Sequence, residues 1–208
     1  MSVDDPGHNR KEEAAMRERI FRIFQILGAL LILIGAGSML FLRYDAQKNA
    51  QFARETAIQI ESNLPGRRAG IPGEFSDSEM AAMEINGVDY VGLVEVPSLG
   101  IKLPIADQWN SNSLRRFPCR YYGSVYSSDL ILGGSNQAGQ FDFCEKLQLD
   151  DIILVTDMTG AEFRYRVSRI DRSGTADAAR LMDGDWSLTL FTADRYDGKY
   201  ILIRCEPA

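Results

Sequence analysis

The longest uninterrupted run of hydrophobic residues lies near the N-terminus, over residues 23–42 (IFQILGALLILIGAGSMLFL). It contains no charged side chain, and its length of about twenty residues is what an α-helix needs to cross the hydrocarbon layer of a membrane. A cleaved signal peptide has a shorter apolar region, followed by small residues at a cleavage site, and this segment does not fit that description. The pattern therefore predicts a transmembrane helix over residues 23–42.

Basic residues flank this predicted helix unevenly. They are Arg10, Lys11, Arg17, Arg19 and Arg22 on the N-terminal side, and Arg43, Lys48 and Arg54 on the other side. Because Lys and Arg are enriched on the cytoplasmic side of membrane proteins, we expect residues 1–22 to form a cytoplasmic tail. The large C-terminal part would then lie outside the cell, on a single-pass protein of the cell membrane.

Residues 43–64 continue with alanine, glutamine and glutamate and without glycine or proline, a composition typical of a helix. Their apolar positions are few and scattered, so we expect a helical stalk that packs only loosely on the rest of the protein. Two Pro-Gly pairs then break the helical pattern between residues 65 and 79. We predict a linker over residues 65–85, with a short helical piece at about residues 80–84.

The pattern changes at about residue 86, where short stretches rich in β-branched and aromatic residues begin. Phe163, Tyr165 and Val167 alternate with polar residues, which is typical of a strand with one exposed face. The predicted strands cover residues 89–96, 101–106, 120–125, 129–134, 151–156, 162–170, 187–193 and 199–206. Short helices are expected near residues 111–116, 141–147 and 176–182.

About eight short strands with few helices indicate an all-β domain over residues 86–208. A closed barrel and a two-sheet sandwich produce the same alternation, so the periodicity alone leaves both open. We expect this domain to fold independently of the membrane anchor.

Composition narrows the classes of function. The 208 residues carry a net charge of −6, which argues against a nucleic-acid-binding surface. Three cysteines are present, Cys119, Cys144 and Cys205, and their spacing fits no metal motif. Buried free thiols are the simpler interpretation, although a disulfide between two of the three stays open.

The single histidine has the largest consequence for chemistry. It is His8, in the predicted cytoplasmic tail, so the predicted external domain contains no imidazole. This excludes a Cys-His or Ser-His catalytic pair and a histidine-ligated metal in that domain. A serine–lysine pair of Ser135 and Lys199 is conceivable from their strand-end positions, but a solvated lysine is the better interpretation.

Acidic residues between 142 and 151 have the oxygen ligands that calcium prefers: Asp142, Glu145, Asp150 and Asp151. Aspartate is equally common at turns between elements, so we predict a structural role and no metal or cofactor. The glycine-rich stretch GGSNQAG at 133–139 matches neither a P-loop nor a dinucleotide-binding pattern. We expect it to let the chain turn sharply after a buried strand.

Four segments, taken together and in order, resemble the sortases, the membrane-anchored cysteine transpeptidases of Gram-positive bacteria. The segments are VEVPSLGIKLPI, RYYGSVYSSDLILGGSN, FDFCEKLQLDDIILVTDMTGAEFRYRVSRI and DWSLTLFTADRYDGKYILIRCE. The similarity spans about 120 residues, from 89 to 206, and is closest to sortases of clostridia-like organisms. It implies a closed eight-stranded β-barrel with short helices, behind an N-terminal transmembrane helix and stalk.

The resemblance also implies where catalytic groups would stand. A sortase has a histidine in a Gly-His-Asn motif, a cysteine at the end of a Thr-Leu-x-Thr-Cys strand and an arginine on the last strand. Here these positions hold Ser135, Ala193 and Tyr200, or Lys199 if the last strand is shifted by one. The nearest arginine is Arg195, in the intervening loop. Two further positions of the peptide groove fall on Asn136 and Thr192.

All three catalytic positions are thus changed, and the resemblance implies a catalytically inactive homologue. Such a protein would bind sorting-signal peptides, pilins or an active sortase at the cell surface. One alternative is a cysteine transpeptidase that attaches LPXTG-type proteins to cell wall or pili. In that case this sequence is either a deliberately inactivated form of the enzyme or an active form that uses unfamiliar residues. The other is a structural envelope protein in which the barrel is a scaffold. Neither Cys144 nor Cys205 is expected to replace the missing nucleophile.

Overall fold

The protein is described here from a computed structural model, which covers residues 6–73, 79–194 and 198–208. The chain divides into two compact units, residues 1–45 and residues 46–208. The regular elements are α1 (Pro6–Asn63), β1 (Arg68–Ala69), β2 (Met83–Ile85), β3 (Val88–Val96), β4 (Ile101–Ala106), α2 (Ser111–Leu114), β5 (Cys119–Tyr122), β6 (Leu130–Gly133), β7 (Ile152–Asp157), β8 (Ala161–Ser173), α3 (Ala178–Leu181), β9 (Leu188–Ala193) and β10 (Tyr200–Pro207). Two 3₁₀ turns, Pro97–Leu99 and Phe141–Glu145, complete the set.

The N-terminal part of α1 contains a stretch that is long and apolar enough to cross a membrane. The large apolar side chains described between Leu27 and Phe41 are exposed within the unit, from 50% at Leu27 to 73% at Ile32. Exposed apolar surface of this extent is unfavourable in water and is the normal condition of a helix surrounded by lipid.

Eight strands close into a barrel. Strands β8, β10, β9, β6, β5, β4 and β3 pair in that order, and β7 closes the ring by pairing with both β3 and β8. Most pairs are antiparallel, whereas β4 pairs with β5 and β6 pairs with β9 in parallel. The all-β closed barrel that the resemblance implies is therefore confirmed, and closure leaves the long strands without a free edge.

The start of the barrel differs from the sequence-based prediction. The helical piece expected at residues 80–84 is wrong, because Met83–Ile85 forms β2 and pairs with β3. Asn86 and Gly87 connect the two strands, and both have positive φ angles of 52° and 77°. A two-residue hairpin turn of type I′ needs positive φ at both positions, and Asn-Gly is the pair that adopts it most readily.

The C-terminal end of α1 belongs to the barrel core. Ala53, Ala57 and Ile60 are at most 2% exposed and join the main hydrophobic cluster. This packing is closer than the loose stalk expected from the sequence, because small alanine side chains allow the helix to approach the barrel surface. Arg67, just after the helix, forms ion pairs with Glu61, Glu95 and Glu162 at 2.7–2.8 Å, so the predicted linker is also attached to the barrel at its start.

The helix therefore contributes to the stability of the barrel, and one residue pair tests this. Ile60 is fully buried, whereas Ile58, two residues earlier on the same helix, is 66% exposed. We expect Ile60→Ala to lower the free energy of unfolding by about 2–5 kcal/mol. Urea denaturation of a fragment comprising residues 46–208 measures this change.

The matched control is Ile58→Ala, which removes the same atoms from an exposed site and should change the free energy of unfolding by less than about 0.5 kcal/mol. Equal effects of the two substitutions would show that the helix does not dock on the barrel in solution.

Candidate functional site

Three strand ends converge at one edge of the barrel. Strands β6 and β9 are parallel, with Gly133 opposite Phe191, so the residues that follow them emerge side by side. Strand β10 is antiparallel to β9, and its first residue, Tyr200, lies opposite Ala193. The topology thus brings the segment after β6, the end of β9 and the start of β10 to the same place.

Hydrogen bonds hold the ends of β6 and β9 together beyond the sheet. The Gly134 amide donates to the Phe191 carbonyl (3.2 Å), and the Thr192 hydroxyl donates to the Gly134 carbonyl (2.8 Å). Asn136 Nδ2 donates to the Ala193 carbonyl (2.9 Å) and to Glu145 Oε1 (2.6 Å). Thr192 is 1% exposed, so its side chain acts as a tie between the two strand ends.

A cavity of about 290 Å³ opens where these strand ends meet, and we call it the aromatic cavity. It is lined by Trp109, Leu114, Tyr121, Gly134, Ser135, Ala176, Phe191, Thr192, Ala193 and Tyr200. The structure therefore brings Ser135 together with Ala193 and Tyr200, which follow it by 58 and 65 residues in the sequence.

The rings of Trp109, Tyr121 and Phe191 pack against one another in this cavity. Their centroids are 5.1–5.5 Å apart, and Tyr121 meets both of the others edge to face, a favourable arrangement for aromatic pairs. Trp109 is still 41% exposed, so part of the indole is available to a ligand. These aromatic residues were not identified from the sequence, because the contacts join three separate segments.

Gly133 ends β6 and Gly134 follows it, and both allow close packing of aromatic rings. A side chain at Gly133 would collide with Trp109 and Phe191, and one at Gly134 would collide with Phe141. Neither glycine has a positive φ angle. The sharp turn expected in this stretch lies just beyond them, where the Phe141 amide donates to the Ser135 carbonyl (3.1 Å) and Gly139 has a positive φ angle of 79°. Gly133 and Gly134 themselves are needed for the close approach of aromatic rings.

The chemistry available in the aromatic cavity is limited. Among its described lining residues, Tyr121 and Tyr200 are the only ones with an ionisable side chain. The Ser135 hydroxyl has no lysine, histidine or carboxylate beside it in that lining to act as a base. The arrangement can accommodate apolar groups, and the lining residues bring no activated nucleophile to it.

The thiols do not compensate for this. All three cysteines are free and buried, and none of them lines the aromatic cavity. Burial raises the pKa of the Cys119 thiol to about 12, and it also raises the pKa values of the Cys144 and Cys205 thiols. A thiol that stays protonated and is shielded from solvent is a poor nucleophile, so no relocated cysteine is present among the described parts of the site.

The other basic candidates have separate locations. Lys199 is exposed and its carbonyl accepts a hydrogen bond from the Asp194 amide (2.7 Å), but its side chain does not line the aromatic cavity. Arg195 lies outside the described residues. Arg204, on the last strand, is 2% exposed and donates to the carbonyls of Leu181 and Arg180 at 2.6 and 2.5 Å.

The acidic residues considered for calcium do not form a metal site. In the chain as described, no group of three His, Cys, Asp or Glu residues is arranged to hold a metal ion. Asp151 accepts a hydrogen bond from the Gln148 amide (2.8 Å), and Asp142 accepts one from the Gly139 amide (3.1 Å). These contacts are those of aspartates that stabilise turns.

Comparison with known proteins identifies the fold. No protein-family model and no curated protein sequence matches this chain. Among solved structures, the chain is similar to sortase C2 of Group B Streptococcus pilus island 1 (17% identity, TM-score 0.52, covering 77% of this chain and 98% of that one). It is also similar to sortase A from Corynebacterium diphtheriae (18%, 0.52, 78% and 84%) and to sortase C1 from Streptococcus suis (20%, 0.50, 57% and 73%). The chain therefore has the sortase fold.

Proposed function

We propose that this chain is a catalytically inactive, membrane-anchored protein with the sortase fold, and that it binds an extended peptide at the aromatic cavity. The observation that carries the proposal is the content of that cavity. Ser135, Ala193 and Tyr200 meet there, at the positions where the resemblance places a histidine, a cysteine and an arginine.

The missing groups are those that acyl transfer requires. In a cysteine transpeptidase the thiolate attacks a peptide carbonyl, a thioester forms, and an imidazole protonates the departing amine. A methyl group at Ala193 has no electron pair to attack a carbonyl. Without a nucleophile no acyl-enzyme forms, whatever the remaining residues contribute.

The cavity nevertheless suits a ligand. Aromatic rings that line a groove bind apolar and proline side chains of extended peptides. A volume of about 290 Å³ is at the small end of the range for ligand pockets and fits one or two side chains. Because the strand ends are tied by the bonds from Thr192 and Asn136, the cavity is largely formed before a ligand arrives.

The ligand we propose is a sorting-signal peptide of the LPXTG type. The apolar Leu-Pro pair of such a peptide matches the aromatic lining. The choice of the LPXTG motif itself rests on the resemblance to sortases. A pilin or an active sortase that presents such a segment would then be the protein partner. If no such peptide binds, the scaffold alternative replaces this proposal.

The location follows from the N-terminal helix. We propose a single span with the N-terminus in the cytoplasm and the barrel outside, supported by the apolar stretch in α1 and by the basic residues before it. A reporter enzyme that works only outside the cytoplasm should be active when it is fused after Ala208. Activity of a cytoplasm-dependent reporter at that position would reverse the topology.

Restoring the catalytic groups tests the proposed loss of activity. Ala193→Cys alone should give little acyl-enzyme, since no imidazole stands beside the thiol. Adding Ser135→His should raise the rate of acyl-enzyme formation by about 10²–10⁴-fold, the usual contribution of a general acid–base group, and adding Tyr200→Arg should raise it further. Intact-protein mass spectrometry after incubation with an LPXTG-type peptide measures the thioester.

The control is the unchanged chain, which should form no acyl-enzyme with the same peptide. If instead the unchanged chain cleaves the peptide and loses this activity on Ser135→Ala or Cys144→Ser, the protein is an enzyme with an unrecognised nucleophile.

A further inference from the structure

A second cavity lies on the same face of the barrel, and we call it the acidic cavity. Its volume is about 520 Å³. It is lined by Tyr122, Ser127, Ser128, Asp129, Ile131, Leu181, Met182, Gly184, Asp185, Trp186, Ser187 and Thr189. Unlike the aromatic cavity, it contains two carboxylates.

The two cavities are neighbours along one pair of strands. Ile131 and Thr189 pair across β6 and β9 and line the acidic cavity, whereas Phe191, two residues further along β9, lines the aromatic cavity. Two residues of a strand span about 7 Å. The segment between β8 and β9 borders both cavities, through Ala176 at one and Leu181 at the other.

Within the residues that the structure describes, no cation forms an ion pair with the carboxylates of the acidic cavity. Asp129 Oδ1 accepts from the Ser124 amide (3.1 Å) and from the Ser127 hydroxyl, and neither donor carries a charge. Asp185 is exposed and forms no ion pair within the described chain. Trp186, the residue after Asp185, also lines the cavity, and an indole face attracts cations.

Two arginines that adjoin residues of the acidic cavity are engaged elsewhere. Arg204 lies behind Thr189 and donates to its hydroxyl (2.9 Å) as well as to the backbone carbonyls of the β8–β9 segment. Arg180 forms an ion pair with Asp183 (3.3 Å). Neither arginine lines the acidic cavity.

A metal ion is a poorer occupant than an organic cation. Calcium takes six to eight oxygen ligands, typically including several carboxylates, and the described residues offer no group of three acidic or metal-binding side chains. A lysine ammonium or an arginine guanidinium needs only one or two carboxylates and gains from an adjacent indole.

We propose that the acidic cavity binds a lysine or arginine side chain of the same peptide that occupies the aromatic cavity. This inference rests on the proposed function and adds a charge requirement to it. In an extended peptide, side chains two residues apart point the same way and lie about 7 Å apart, which is the spacing along β9 of Thr189 in the acidic cavity and Phe191 in the aromatic cavity. Side chains one or three residues apart point to opposite sides.

A lysine scan tests the inference. A series of LPXTG-type peptides carries one lysine at successive positions before and after the motif, and each is compared with the same peptide carrying glutamine there. Binding to the full chain in detergent micelles is followed by tryptophan fluorescence. We expect lysine to tighten binding about three- to tenfold relative to glutamine. The gain in affinity should occur on one side of the motif only and at alternate positions, and it should be smaller at high salt.

Two variants locate the effect. Asp129→Asn combined with Asp185→Asn should abolish the lysine gain, so that the variant binds the lysine and glutamine peptides with equal affinity. The fold should be kept, because asparagine can still accept the bonds from Ser124 and Ser127. Asp183→Asn, in the same segment but paired with Arg180, is the matched control and should keep the gain.

The outcomes separate this inference from the proposed function. If the glutamine peptides bind and the lysine peptides bind no more tightly, the acidic-cavity proposal alone is overturned. The same holds if the lysine gain persists in the Asp129→Asn, Asp185→Asn variant. Failure of every peptide to bind would overturn the proposed function, and this inference with it.

Discussion

The parallel pairing of β6 with β9 is the constraint on which the candidate site depends. In a barrel whose other strand pairs are mostly antiparallel, it makes two strands end at the same edge, and β10 starts where β9 ends. The pairing also places Gly133 against Phe191, and Trp109 packs on both only because the glycine has no side chain. The aromatic cavity is thus a product of strand register.

Architecture and reactivity are separable in this protein. The bonds that position the strand ends use backbone groups and the side chains of Thr192 and Asn136, and none of them needs a thiol or an imidazole. The aromatic cavity can therefore form whichever residues occupy positions 135, 193 and 200. Arg204 also has a structural role. Its guanidinium donates to carbonyls of the segment between β8 and β9, which lines both cavities, and burial lowers the pKa of this side chain.

Much of the fold was predictable, and the exceptions have physical reasons. Strand β4 was predicted with its observed bounds, Ile101–Ala106, and the other barrel strands within a few residues, because hydrophobic patterning is a local signal. The hairpin at Asn86-Gly87 was missed although its signal is also local. The sequence could not predict the packing of Ala53 and Ala57 against the barrel or the aromatic contacts of Trp109, because both depend on which segments meet in three dimensions. The positions of Ser135, Ala193 and Tyr200 came from resemblance, and their reactivity stays a prediction.

Native mass spectrometry distinguishes binding at the aromatic cavity from reaction there. The unchanged chain is mixed with an LPXTG-type peptide and the complex is then dissociated by collisional activation. The account predicts a non-covalent complex that releases the intact peptide, and a weaker complex for Trp109→Ala, which removes the exposed indole of the cavity. A covalent adduct or a cleaved peptide would contradict the loss of catalysis. The absence of any complex would contradict the binding function.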